Sequence, residues 1–115
     1  MIIKKKKDFN PFIMEDDKSN GIKFYPMLTA RDGTPAFAMR LFEINPGGYT
    51  PRHQHSWEHE VYIISGSGFV LKGEEKVKIE KDDFIFVDPS ELHQFQAGEN
   101  GISMICVVPN EGQPS

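Results

Sequence analysis

An all-β barrel or sandwich is the fold class this sequence predicts, and three observations carry it. From residue 22 onward, short segments rich in β-branched, aromatic and aliphatic residues recur, each closed by a cluster of turn-forming residues. No stretch shows the apolar spacing of an amphipathic helix. The histidines, 4 in all, fall in only two places, 53–59 and 93, and bringing those together takes a fold that closes on itself.

Residues 1–20 read as an N-terminal arm whose first part, Met1 to Lys7, is a solvated run of lysines. The predicted strands then cover 22–28, 36–44, 49–55, 60–65, 69–72, 76–79, 84–87, 93–97 and 102–108. Their punctuation is explicit in Arg31-Asp32-Gly33-Thr34-Pro35, Asn45-Pro46-Gly47-Gly48, Ser65-Gly66-Ser67-Gly68, Lys72-Gly73-Glu74, Lys81-Asp82-Asp83 and Gly98-Glu99-Asn100-Gly101. These residues tolerate positive φ or preset a turn. The barrel therefore spans about 22–108, and 109–115 form a tail with almost nothing to bury, expected to be mobile. The 115 residues make a single domain.

Composition narrows the partners. A formal net charge of −4, with no basic cluster beyond Lys4 to Lys7, excludes the counterion-displacing surface that nucleic acid demands. No apolar run approaches the length that spans a bilayer, and none at the N-terminus has the form of a secretory signal. Cys106 is the only cysteine, so no disulfide forms within the chain, and a cytoplasmic location is expected. Segments 36–44 and 61–64 are apolar on both faces, which calls for a cover on the second face: the N-terminal segment or, as the commonest arrangement, a two-fold homodimer.

His53 and His55, two apart, leave the same face of an extended strand, where neutral imidazoles can share one divalent ion. His59 follows after three residues, enough for a bend to return it to that ion, and His93 arrives from a distant strand. Glu60 points away from His59 on a regular strand and reads as a supporting partner or a surface acid rather than a ligand.

The stretch 47–66 resembles the first motif of the cupins: a glycine, a His-x-His pair, an acid and a closing glycine. Gly47, His53, His55 and Gly66 match it. His59 holds the acid's place at the spacing that also fits Gly66; Glu60 holds it at the alternative spacing, one residue short of Gly66. In the second motif Pro89 and His93 match, whereas Asp83, Glu91 and Ala97 depart from the usual residues. The resemblance implies a cupin barrel, a jelly-roll-like double-stranded β-helix. It is closest to the small single-domain bacterial and archaeal cupins that hold one divalent ion with four histidines. Manganese is the ion it points to first, and imidazole also accepts iron, nickel, copper and zinc.

Four neutral ligands leave the ion's full charge in place and two of six positions open, which favours an anionic or enolate ligand. No nucleophile motif, phosphate loop or dinucleotide fingerprint accompanies the site. The function read from the sequence is a small metal-dependent enzyme, of the oxygenase or oxidoreductase class, acting on a small organic molecule. Its alternatives are a metal-dependent decarboxylase or isomerase, and a module that binds a small ligand without turning it over.

The pocket walls follow from register. If 98–101 is a hairpin connection pairing Ala97 with Ile102, then Phe95, Met104 and Cys106 share the inward face of His93. Cys106 is then either a metal-proximal thiol or an inert core residue, and a single bulge decides between them. Arg40 either anchors a carboxylate from the pocket wall or forms a salt bridge at a rim or interface; the second reading is preferred.

Overall fold

The computed structural model describes residues 1–113, and residues 114–115 lie outside the described part. The strands are β1 (Phe12–Met14), β2 (Asn20–Leu28), β3 (Phe37–Tyr49), β4 (His59–Lys72), β5 (Glu75–Glu80), β6 (Phe84–Val87) and β7 (His93–Pro109). All pairings are antiparallel, in the order β1-β2-β3-β7-β4-β5, with β6 pairing the first part of β4 on the same edge as β5, opposite β7. The sheet curls into a jelly roll with Ile22, Ala38, Ile44, Val61, Ile63, Phe95, Met104 and Val108 packed inside. Among the described residues no helix is long and apolar enough to cross a membrane.

Three predicted turns lie within long strands: Asn45-Pro46-Gly47-Gly48 falls inside β3, where the register against β7 shifts between Ile44 and Tyr49, and the other two are bulges in β4 and β7. Segments 60–65 and 69–72 are one strand, β4, and 93–97 and 102–108 are one strand, β7. Gly66 and Gly101 both take positive φ, +81° and +73°, and the register of the β4–β7 pair shifts there. Burial along β7 changes phase at that point: Phe95 and Ala97 face inward before it, Ile102, Met104 and Cys106 after it. A long strand that bends round a jelly-roll corner needs this extra residue to keep its apolar side inward. Gly98 to Gly101 is thus no hairpin connection, because Ala97 pairs with Gly68 and Ile102 with Gly66.

The N-terminal arm is only partly free. Met1 to Lys7 are exposed, yet Lys4 pairs with Asp32 at 2.7 Å and Lys6 with Glu43 at 2.8 Å, and Phe12–Met14 adds a strand to β2 that the polar run concealed. The tail, expected to bury almost nothing, makes a 3-10 turn at Asn110–Gly112 that buries Gly112 against the ring of Trp57. Only a residue without a side chain allows that approach, since a Cβ at 112 would stand 2.6 Å from Trp57 Nε1.

Candidate metal centre

The loop joining β3 to β4 carries two of the histidines. A full strand over 49–55 does not form: Pro51 has no N–H to give a ladder, and only His53 makes an isolated bridge. That bridge is to His93, through His53 N–H to His93 O at 3.1 Å and His93 N–H to His53 O at 3.0 Å. Thr50 supplies the remaining attachment to β7, accepting from the Phe95 amide at its hydroxyl (2.9 Å) and from Gln94 Nε2 at its carbonyl (2.8 Å). His55 follows in a bend, while His59 opens β4 and His93 opens β7, both buried.

All four rings converge. Centroid separations are 5.0 Å for His53–His55, 4.9 Å for His53–His93, 5.1 Å for His55–His93, 4.4 Å for His55–His59 and 5.1 Å for His59–His93. His53, His55 and His93 offer nitrogens that all lie within 4.8 Å of one another, close to the span of about 4 Å set by two ligands on opposite sides of one ion. His59 approaches the group with its Nε2 2.6 Å from His55 Nε2.

The donor set suits a divalent ion. His93 Nδ1 faces the Glu91 carbonyl at 2.8 Å and His55 Nδ1 faces the Trp57 carbonyl at 3.1 Å. A carbonyl accepts only, so each Nδ1 carries the proton and each Nε2 presents a lone pair. The Trp57 ring also stacks on His55 at 4.3 Å and 6°. Burial, followed by the neighbouring histidines and Arg40, lowers His53 to about 4. Burial, then His55 and Arg40, lowers His59 to about 3, and burial lowers His55 as well. These imidazoles are neutral at neutral pH and free to ligate.

Glu60 is not the partner of His59. Strand alternation sends it to the opposite, exposed side, paired with Phe86 and Val107. His59 Nδ1 instead lies 2.9 Å from Cys106 Sγ, and Arg40 Nη2 lies 3.1 Å from the same sulfur and 3.5 Å from His59 Nδ1. Burial raises the Cys106 thiol, against the pull of Arg40.

Beside the histidines is a cavity of about 290 Å³, bordered by His53, His59 and His93 and walled by Phe24, Phe42, Phe95, Met104 and Cys106. Phe95, Met104 and Cys106 reach it through the β7 bulge rather than the hairpin predicted for them. Arg40 is inside as well, 8 % exposed, which overturns its placement at a rim or interface. It occupies the inward row of β3 with Ala38 and Ile44, so strand parity was the available signal. Gln113, Thr50 and Trp57 were not foreseen: nothing local marks them, and two are brought in by the tail or hold the loop.

The cupin domain family matches residues 40–108. The chain is similar to 1-methylthio-D-xylulose 5-phosphate methylsulfurylase of Rhodospirillum rubrum, 28% identical over 74 residues covering 64% of this chain and 47% of that protein. It thus spans about half the length of that curated relative. Among solved structures it is similar to the polyketide cyclase RemF from Streptomyces resistomycificus, with a TM-score of 0.87 and 26% identity over 96% of this chain and 80% of that one. A cupin 2 conserved barrel domain protein from Rhodopseudomonas palustris gives a TM-score of 0.76 and 28% identity over 86% and 68% of the two chains.

Proposed function

The chain belongs to the cupin family, and from that premise we propose that it is a small metal-dependent enzyme acting on a carbonyl or enol compound. The observation that carries this reading is the histidine cluster opening directly onto an apolar cavity. His53, His55 and His93 would hold one divalent ion, with His59 as fourth ligand, and manganese is the first candidate. Such an ion supplies Lewis acidity to a substrate oxygen. The chain's residues do the rest: Phe24, Phe42, Phe95 and Met104 exclude water from the bound molecule, and the Nδ1 anchors fix the ligating rings.

Polarising a carbonyl serves redox-neutral chemistry as well as oxygenation. Similarity to a protein named as a cyclase favours the redox-neutral branch, and oxygenation is kept as the second reading on the neutral, histidine-only donor set. Incubating the metal-loaded protein with an enolisable diketone in heavy water decides between them. Exchange at the α-carbon without oxygen uptake is expected. Oxygen uptake moves the assignment to the oxygenase class, and a raised melting temperature with neither reaction reduces the protein to a binding module.

A two-fold homodimer in the cytoplasm completes the proposal. Phe37, Met39, Phe84 and Phe86 are 66%, 42%, 82% and 56% exposed, so the arm leaves this outer apolar area uncovered. Light scattering at micromolar concentration is expected to give twice the chain mass, with Phe86→Glu shifting it to one; a monomeric wild type ends the dimer reading.

A further inference from the structure

Arg40 is a buried cation that meets no anion among the described residues. Ion pairs among the described residues are Lys4–Asp32 and Lys6–Glu43, both away from the cavity. Arg40 Nη1 donates to Gln113 Oε1 at 3.2 Å and Nη2 to Cys106 Sγ at 3.1 Å, and the guanidinium lies over the rings of Phe42 (5.3 Å) and Phe24 (5.8 Å). These are an amide, a thiol and two π faces, none of them a carboxylate. Arg40 Nε is buried and has no hydrogen-bond partner among the described residues. Burying a charge and leaving a donor unsatisfied each cost free energy that a natural interior seldom leaves uncompensated.

We infer that Arg40 is the anchor for an anionic oxygen of the ligand, and that the cavity takes a small organic anion with an apolar body, a carboxylate or an enolate. A guanidinium takes a carboxylate through two parallel hydrogen bonds, and the free Nε with a neighbouring Nη is one such fork. The guanidinium of Arg40 lies over the neighbouring rings of Phe42 and Phe24, which restrict its orientation before the ligand arrives. The cavity walls fit an apolar body, and Arg40 Nη2 is only 3.5 Å from His59 Nδ1. One small molecule can therefore rest its anionic end on Arg40 and turn a second oxygen toward the histidines. The inference deepens the proposed function and rests on it for the direction of that second oxygen, but the anchor itself requires no metal.

The test uses benzoate and its neutral isostere benzamide, titrated calorimetrically into the full chain with and without added manganese. Benzoate is expected to bind wild type roughly tenfold or more tightly than benzamide. Arg40→Met is expected to lose that preference while benzamide binding, circular dichroism and bound metal per chain stay as in wild type; Arg40→Lys should recover part of it. Equal affinity of wild type for the two probes, or no benzoate binding, overturns the inference without any variant having to fold. Retained preference in a folded Arg40→Met does the same. If no metal binds to wild type yet the Arg40-dependent preference persists, the metal reading falls and the anchor stands.

Discussion

His93→Ala should bind a divalent ion on the order of a hundredfold or more weakly than wild type, measured by competition against a chromophoric chelator. Of the converging histidines it is the most enclosed, 3% exposed, and its Nδ1 is committed to the Glu91 carbonyl, so its Nε2 is held on one line. The substitution removes that nitrogen but keeps the backbone bridge between residues 53 and 93, which needs no side chain. The remaining ligands therefore stay near their positions, and the loss reads out ligation rather than collapse of the loop. A companion Glu60→Ala, altering only an exposed outward residue, should leave affinity unchanged. An intact site in His93→Ala, or a site lost in Glu60→Ala, would remove the ligand assignment.

The histidines were legible because their identity and spacing are the signal. A ligand's chemistry is written in its residue type, and four imidazoles in two clusters have few other uses. Glu60 and Arg40 were harder to place, since what matters for them is the side of the strand they occupy. For Arg40 the inward row of β3 is shared with Ala38 and Ile44, and an arginine in that row contradicts the usual partition of charge to the surface. The β4 and β7 bulges were invisible for another reason: Ser65-Gly66-Ser67-Gly68 and Gly98-Glu99-Asn100-Gly101 have turn composition, and glycine at positive φ serves a turn and a bulge alike. Only the partner strand separates the two. The contribution of the tail was hidden more completely, because Gly112 acts by lacking a side chain where Trp57 needs room.

That pairing of bulges sets up the largest expected change in stability. Gly66→Ala should lower stability by roughly 3 kcal/mol or more, a fall in Tm of roughly 10 °C or more for a chain of this size. Two independent costs combine there. The residue holds φ at +81°, where a Cβ is strained, and an added Cβ would run into the carbonyl oxygen of Gly101, with the carbonyl carbon at 2.9 Å and Ile102 Cα at 3.0 Å. Those are backbone atoms of the facing bulge, with no flexible side chain to swing aside. Relief requires β4 and β7 to separate at the corner where both change phase, which would also disturb the inward rows carrying His59, Met104 and Cys106. Gly73→Ala supplies the control, because it too has positive φ, +63°, but nothing lies within 4 Å of the added atom. It should cost only the conformational part, about 1 kcal/mol. Denaturant melts of the two variants giving equal losses would show that the contact between the bulges adds nothing, and that the corner tolerates a side chain.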